Sequence, residues 1–429
     1  MPWLAIDPLF YDGVDAVDVA VVIVKTVAVF AMLLVGVMFY VWFMRKVIAV
    51  MQVRVGPKRA GPFGVLQTFA DGTKLFFKEQ SIPDAADSTV FRLAPYLSIM
   101  PAFLAFAIVP IGGEVWIFGR QTTLQLADPP IGILFLLMMS GIGAYGVLLA
   151  GWASGSKYPL LGSVRASAQL LSYEAVMGLS IVTVLVRSNT LQTSSIVAQQ
   201  EWTGWASIID WFMFWQQPGE ASPARTVGIV LMSVLTFAGL ALFLVAALGE
   251  TNHPPFDLVE AEQELVGGFH TEYTGIRFGI FFLAEFMNYI TMSAIVVTLF
   301  LGGPAGPPLG IAPENGVINV WLMPMFWFAI KVLFFLFCTV WVRASLPRLR
   351  YDQLMNLSWK FLIEGSFLLV MVLGVAVVGL TLGWNLWLVV PASIAAALVV
   401  YGLLWLCVPR PGERDEWSEL AMAEAGGEG

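Results

Sequence analysis

The chain has 429 residues, 58% of them hydrophobic and 12% charged, about half the charged share of an average soluble domain. Folding in water cannot hide that much apolar surface, and the long unbroken apolar runs do not suit a β-barrel, so a soluble enzyme and a barrel are both excluded. The net charge of −8 gives no footing for nucleic acid.

In chain order, the head carries Asp7, Asp12, Asp15 and Asp18 and has no basic segment, so it does not read as a cleavable signal. Nine apolar runs then follow, at about 19–43, 93–111, 130–152, 168–187, 226–249, 278–302, 320–342, 361–384 and 386–408. The fold class is all-α, a polytopic integral membrane protein. Between the first two runs, residues 63–78 place Phe63, Leu66, Phe69, Phe76 and Phe77 mostly on one helical face, with Asp71, Lys74 and Lys78 around the other. That pattern predicts an amphipathic helix lying in the membrane interface. It serves either as a simple anchor or as one wall of an apolar ligand entrance.

Trp202, Trp205, Trp211 and Trp215 crowd the loop after the fourth run and read as an interfacial aromatic belt. After the fifth run comes GETNHPPFDLVEAEQELVGGFHTEY (249–273), with six acids, Glu250, Asp257, Glu260, Glu262, Glu264 and Glu272, and no basic residue until Arg277. Pro254 and Pro255 suit a first helical turn, so a helix is expected to begin there, with Asp257, Glu260 and Glu264 on one face. Crowded carboxylates do not all ionise easily, which suits a proton relay; a solvated acidic helix is the plain alternative. Two further acids interrupt apolar runs, Glu174 in the fourth and Glu285 in the sixth. A charged carboxylate at membrane depth costs roughly 2.5–3.5 kcal/mol or more. Each therefore faces protein or water, holds a proton or pairs with a cation, for which Lys331 and Lys25 are candidates. Residues 409–429, rich in Glu, Gly and Ala, read as a disordered acidic tail.

Metal ligands are scarce. Cys338 and Cys407 lie far apart in apolar runs, and His253 and His270 share one polar loop. Neither an iron–sulfur cluster, a structural zinc nor a haem b is expected on this chain. The basic residues set an orientation. Arg45, Lys46, Arg54, Lys58, Arg59, Lys74, Lys78 and Arg92 follow the first run, Lys157 and Arg165 the third, and Arg343, Arg348, Arg350 and Lys360 the seventh. By the positive-inside rule these loops are cytoplasmic, which puts the N-terminus outside and the C-terminus in the cytoplasm.

Four blocks in order carry a family resemblance: MQVRVGPKRAGPFGVLQTFADGTKLFFKEQSIP (51–83), GWASGSKYPLLGSVRASAQLLSYE (151–174), ETNHPPFDLVEAEQELVGGFHTEYTGIRFGIFFLAE (250–285) and RASLPRLRYDQLMNLSWK (343–360). Together they resemble the quinone-chamber membrane subunit, the H subunit, of the proton-pumping NADH:quinone oxidoreductases, respiratory complex I, over about residues 19–384. The resemblance implies a bacterial cytoplasmic (inner) membrane location and a surface on which the peripheral arm docks. It implies a chamber for a lipid-soluble quinone, with Arg45, Arg54, Asp71, Lys74 and Arg165 around it. It assigns Glu174, Asp257, Glu260, Glu262, Glu264, Glu272 and Glu285 to an acidic relay towards small and antiporter-like membrane subunits. NAD, FMN and the iron–sulfur clusters would then sit in partner subunits. Two rivals stand beside this reading: the sister subunit of a membrane-bound hydrogenase or other dehydrogenase, and a free-standing ion-coupled transporter.

The sequence departs from the family twice. Related chains commonly carry Glu before two basic residues at the end of the first span, where this one has Met44-Arg45-Lys46, and they usually end after the eighth span. The expected domains are therefore 1–384, an added span at 385–408, and the tail at 409–429. The orientation is checked with single cysteines: Ser156→Cys and Ser345→Cys should label only from the cytoplasmic side and Ser194→Cys only from outside. Opposite labelling would invert the topology.

Overall fold

A computed structural model of the chain describes residues 9, 15–117, 119–200, 223–257, 266–307, 318–382 and 386–407. The four tryptophans at 202–215, Glu260, Glu262, Glu264, residues 383–385 and the acidic tail lie outside them. Among the described residues the helices are α1 (Ala16–Met51), α2 (Gln67–Phe77), α3 (Ser88–Phe106), α4 (Gly132–Ala153), α5 (Lys157–Ser188) and α6 (Thr193–Ala198). They continue with α7 (Pro223–Glu250), α8 (Gly275–Phe300), α9 (Met323–Ser345), α10 (Tyr351–Leu357), α11 (Ile363–Thr381) and α12 (Leu386–Cys407). Seven of these segments are long and apolar enough to cross a membrane, and α7 and α12 each contain a shorter apolar stretch. A helix thus stands at each of the nine apolar runs, and the all-α reading holds.

The helices pack as one bundle. α8 lies against α1, α3 and α9; α4 lies between α3 and α5; α5 carries α7 and α11; and α12 leans on α11. Solvent logic is inverted here. Val27, Val35 and Leu398 face outward, whereas Ser163, Gln169, Ser180 and Thr183 are fully buried. In lipid, apolar side chains gain nothing by turning inward, so the interior collects small and hydrogen-bonded polar groups. Gly151 shows how closely α4 and α5 approach. A Cβ there would stand 2.2 Å from Ser163 Oγ and 2.4 Å from the Pro159 carbonyl oxygen.

Four local readings change. The fourth apolar helix starts at Lys157, not near 168, because its polar first turns pack on the turn at Gly268–His270: a Cβ on Gly162 would meet the Gly268 backbone at 2.8 Å. The interfacial helix starts at Gln67, not at 63, since Gly61, Phe63 and Gly64 all have positive φ and cannot continue a right-handed helix. Pro254 and Pro255 sit in a turn closed by Phe256 N–H donating to the His253 carbonyl, and none of the described residues 251–257 is helical; the rest of the expected helix, 258–265, lies outside the described residues. A residue that precedes proline is pushed out of the α region, which disqualifies Pro254 as a first helical residue. Finally, the loop after α3 holds an antiparallel hairpin, β1 (Glu114–Ile117) with β2 (Arg120–Thr123).

The two membrane lysines also find homes. Lys25 Nζ donates to Thr122 Oγ1 at 2.8 Å, next to Arg120, which pairs with Asp15 and Asp18. Lys331 Nζ donates to the carbonyls of Leu301, Gly303 and Ala305 at 2.8, 2.9 and 2.5 Å, in the turn that follows the C-terminus of α8, where a cation is favoured. Between α7, α8 and α9 there is an apolar cavity of about 210 Å³, lined by Leu248, Tyr289, Val296, Phe335 and Cys338 among others.

The α4–α5 contact makes a test of the packing. Gly151→Ala should destabilise the protein by about 1–3 kcal/mol, because neither Ser163 nor the Pro159 carbonyl can retreat by the ångström required. Thermal denaturation of the solubilised protein measures this; an unchanged midpoint would refute the close approach.

Candidate functional site

Local sequence places three groups of polar side chains at the ends of the helices and in the turns that join them. The first joins α1 to α2. Arg45 Nη1 meets Asp71 Oδ2 at 2.7 Å, and Gln67 Nε2 donates to the other carboxylate oxygen at 3.1 Å. Burial works to raise the Asp71 pKa, but the hydrogen bonds from Arg45 and Gln67 outweigh it and hold the carboxyl below its usual range, helped by Lys74. Trp42 Nε1 donates to the Phe63 carbonyl at 3.1 Å, so α2 is tied to α1 on both sides of its entry turn. Phe69, Phe76 and Phe77 remain well exposed, the apolar face that the sequence predicts for an interfacial helix.

The second group lines a cavity of about 80 Å³ enclosed by α3, α4, α8, the end of α7 and the turn at Gly268–His270. Its polar lining includes Glu250, Glu285, Asn252, Asn288, His270 and Ser140. About 15 Å³ suffices for one water, so this space has room for several, and its polar walls offer the partners that water needs. Ser140 Oγ donates to Glu250 Oε1, while Glu250 Oε2 has no hydrogen-bond partner among the described residues. One residue further along α4, a Cβ on Gly141 would lie 3.4 Å from Glu174 Oε1. Glu174 and Glu250 therefore flank the same turn of α4, within electrostatic reach of each other.

The third group links the other two. His253 is buried beneath the Tyr289 ring, with centroids 4.1 Å apart, and its Nδ1 is 2.9 Å from Glu285 Oε1. Its Nε2 meets Arg343 Nη1 of α9, and the same guanidinium nitrogen lies 3.3 Å from Met44 Sδ on α1. Burial, reinforced by the charge on Arg343, holds the His253 pKa well below 6.5. The loop is fixed from below by Gln169 Nε2, which donates to the Gly249 and Phe256 carbonyls at 2.9 Å each, and by Arg348 Nη2 on Asp257 Oδ2 at 2.8 Å.

Of the residues singled out in the sequence, Arg45, Asp71 and Lys74 come together, Glu285 reaches the cavity, Glu174 sits across α4 from it, and Asp257 is held by Arg348. Arg54 stands apart, exposed, with its Nε on Gln52 of its own turn. Arg165 lies over the Tyr351 ring, 5.5 Å from its centroid, and Glu272 is part-buried in the turn before α8. Glu260, Glu262 and Glu264 fall outside the described residues. Sequence reasoning assigns no role at the site to Glu250, Ser140, Asn288, His253 or Arg343. Glu250 had a signal, a carboxylate closing an apolar run, and so had His253, one of only two histidines. Ser140 and Asn288 had none.

Residues 24–374 match the family described as NADH dehydrogenase. The chain is 49% identical over 352 residues to the NADH-quinone oxidoreductase H subunit of Frankia alni (strain DSM 45986 / CECT 9034 / ACN14a), covering 82% of this chain and 72% of that protein. It is also 49% identical over 355 residues to the NADH-quinone oxidoreductase H subunit of Frankia casuarinae (strain DSM 45818 / CECT 9043 / HFP020203 / CcI3), covering 83% and 72%.

The cavity histidine gives a pH test. Burial lowers the His270 pKa from 6.5 to about 4, so the folded protein keeps this ring neutral where the unfolded chain would protonate it. Below about pH 6.5 the unfolded state binds the extra proton and gains stability, until the folded ring also titrates near 4. His270→Asn should therefore gain stability relative to the parent as pH falls from 6.5 to 4. Parallel melting curves across that window would show the ring to be exposed.

Proposed function

The chain belongs to the family of NADH-quinone oxidoreductase H subunits, membrane components of respiratory complex I, and from that premise we propose that it forms the quinone entry chamber and the acidic relay that couples quinone reduction to proton translocation. The observation that carries this reading is the cavity itself, a polar space with room for several waters among apolar helices, lined by both Glu250 and Glu285. Carboxylates so placed change protonation readily, because charge acts strongly where the dielectric is low and each group feels its neighbours.

In this reading Arg45, Asp71, Lys74, Arg54 and Arg165 surround the quinone path, and the exposed phenylalanines of α2 form its apolar wall. Glu174, Asp257, Glu260, Glu262, Glu264, Glu272 and Glu285, with Glu250 added, form the relay. Electrons come from peripheral-arm subunits that carry NAD, FMN and the iron–sulfur clusters. Small and antiporter-like subunits in the membrane receive the relayed charge or protons. The complex lies in the bacterial cytoplasmic membrane, with the N-terminus of this chain outside and its C-terminus in the cytoplasm. Residues 1–384 form the domain shared with the family, 385–408 an additional span and 409–429 a tail; α12 packs beside α11, which suits a lateral contact.

Gln keeps the size of Glu but cannot titrate. In the assembled complex, Glu250→Gln and Glu285→Gln should each lower quinone-dependent NADH oxidation and vesicle proton pumping about tenfold or more. NADH oxidation by a soluble acceptor, which needs no quinone path, should persist. Glu260→Gln and Glu264→Gln should lose quinone reduction and pumping together as well. Full activity and full pumping in the single and double variants would overturn the relay.

A further inference from the structure

Arg343, His253 and Glu285 form a chain of three buried or half-buried groups running from α9 through the loop to α8. A guanidinium can only donate, so Nε2 of His253 accepts from it, and the ring proton must sit on Nδ1 and point at Glu285 Oε1. Among the described residues, the titratable and charged groups around this ring are Glu285 and Tyr289 from α8, Arg343 from α9, and, beyond Tyr289, Tyr40 from α1, whose ring lies 5.8 Å from that of Tyr289 and whose hydroxyl meets Thr339; Phe286 packs edge-on against the ring. On the same loop Asp257 is held by Arg348, and Glu250 stands on the cavity side with Glu285. Met44 is the contact of Arg343 on α1, and its thioether offers the guanidinium only a weak acceptor.

We propose that His253 is a positioning residue for the carboxylate cavity, converting the position of the Arg343 guanidinium into the charge and direction of Glu285. The inference rests on the relay reading above. While Arg343 donates to Nε2, that nitrogen has no free lone pair and the ring is locked neutral, with Nδ1–H held on the Glu285 carboxylate. When the guanidinium swings off the ring towards its α1 side, Nε2 becomes a base. It binds one proton from that side, the Nδ1–H bond breaks as its proton passes to Glu285 Oε1, and a neutral carboxylic acid results. One proton has then entered the cavity and the ring is again neutral. The first arrangement returns when Glu285 has released its proton onward, a water has taken the proton from Nε2 and a water has given one to Nδ1, so that Arg343 can donate to Nε2 again.

The test is Met44→Glu in the whole complex, which offers Arg343 a carboxylate where the thioether now lies 3.3 Å away. The competing carboxylate should draw the guanidinium off His253 and make the ring more basic. The acid limb of quinone-dependent NADH oxidation should move towards neutral pH by about tenfold in proton concentration. The shift should vanish in Met44→Glu/His253→Asn and persist in Met44→Glu/His270→Asn. If Met44→Glu blocks assembly, Arg343→Gln removes the charge directly and must move the limb the same way. An unmoved limb, or a shift that survives His253→Asn, overturns the inference. Glu285→Gln in the same preparations separates the two claims: full activity there removes the relay itself, whereas impaired activity beside an unmoved limb removes only the role of His253.

Discussion

An ionised carboxylate inside an apolar bundle must be hydrogen-bonded, paired, hydrated or protonated, because leaving it bare costs several kcal/mol. Much of this fold is arranged around that constraint at Glu174, Glu250 and Glu285. The polar cavity beside α4 and α8 exists where helices that could have closed with apolar side chains carry Ser98, Ser140, Asn288 and Thr291 instead. The loop after α7 folds back between helices to deliver His253 to Glu285, and Gln169 is fully buried in order to hold that loop by two backbone carbonyls. Close packing elsewhere serves the same end. Gly249 lies so near the Tyr173 ring that a Cβ would come within 2.4 Å of it, which sets how deeply Glu250 can reach.

Among the described residues, several cations near the bundle have partners other than the cavity carboxylates. Lys331 neutralises the carbonyl end of α8, Lys25 serves the hairpin, and Arg45 is engaged by Asp71. Arg343 is linked to Glu285 through an imidazole. A direct guanidinium–carboxylate pair would fix Glu285 as an anion; an intervening neutral ring leaves its proton affinity adjustable.

The spans were legible because apolar runs of about 20 residues have few other meanings. The amphipathic helix was legible from its phenylalanine spacing, though its first turn was not, since positive φ at Phe63 has no sequence mark. The start of α5 was missed for a related reason: its polar residues look like a loop until the turn at Gly268 is seen to pack on Gly162. At the site, intramembrane acids declared themselves by sheer incongruity. Their partners did not, because a serine or an asparagine in an apolar run carries little signal, and an arginine near a span end reads as topology before it reads as chemistry. The expectation of a helix at Pro254 failed where two rules met: proline favours a first helical turn, but not when another proline follows.

α9 is clasped to its neighbour at two places. Lys331 grips the far end of α8 through three carbonyls, and Arg343, twelve residues later, grips its middle through the imidazole on Glu285. At 1.5 Å per residue those clasps stand about 18 Å apart along a rigid rod. The helix is thereby a ruler whose graduations cannot be altered: one residue inserted or deleted between them would rotate one clasp by about 100° relative to the other. Side chains facing the apolar cavity, such as Phe335 and Cys338, can vary in bulk, but the number of residues separating the two cations cannot.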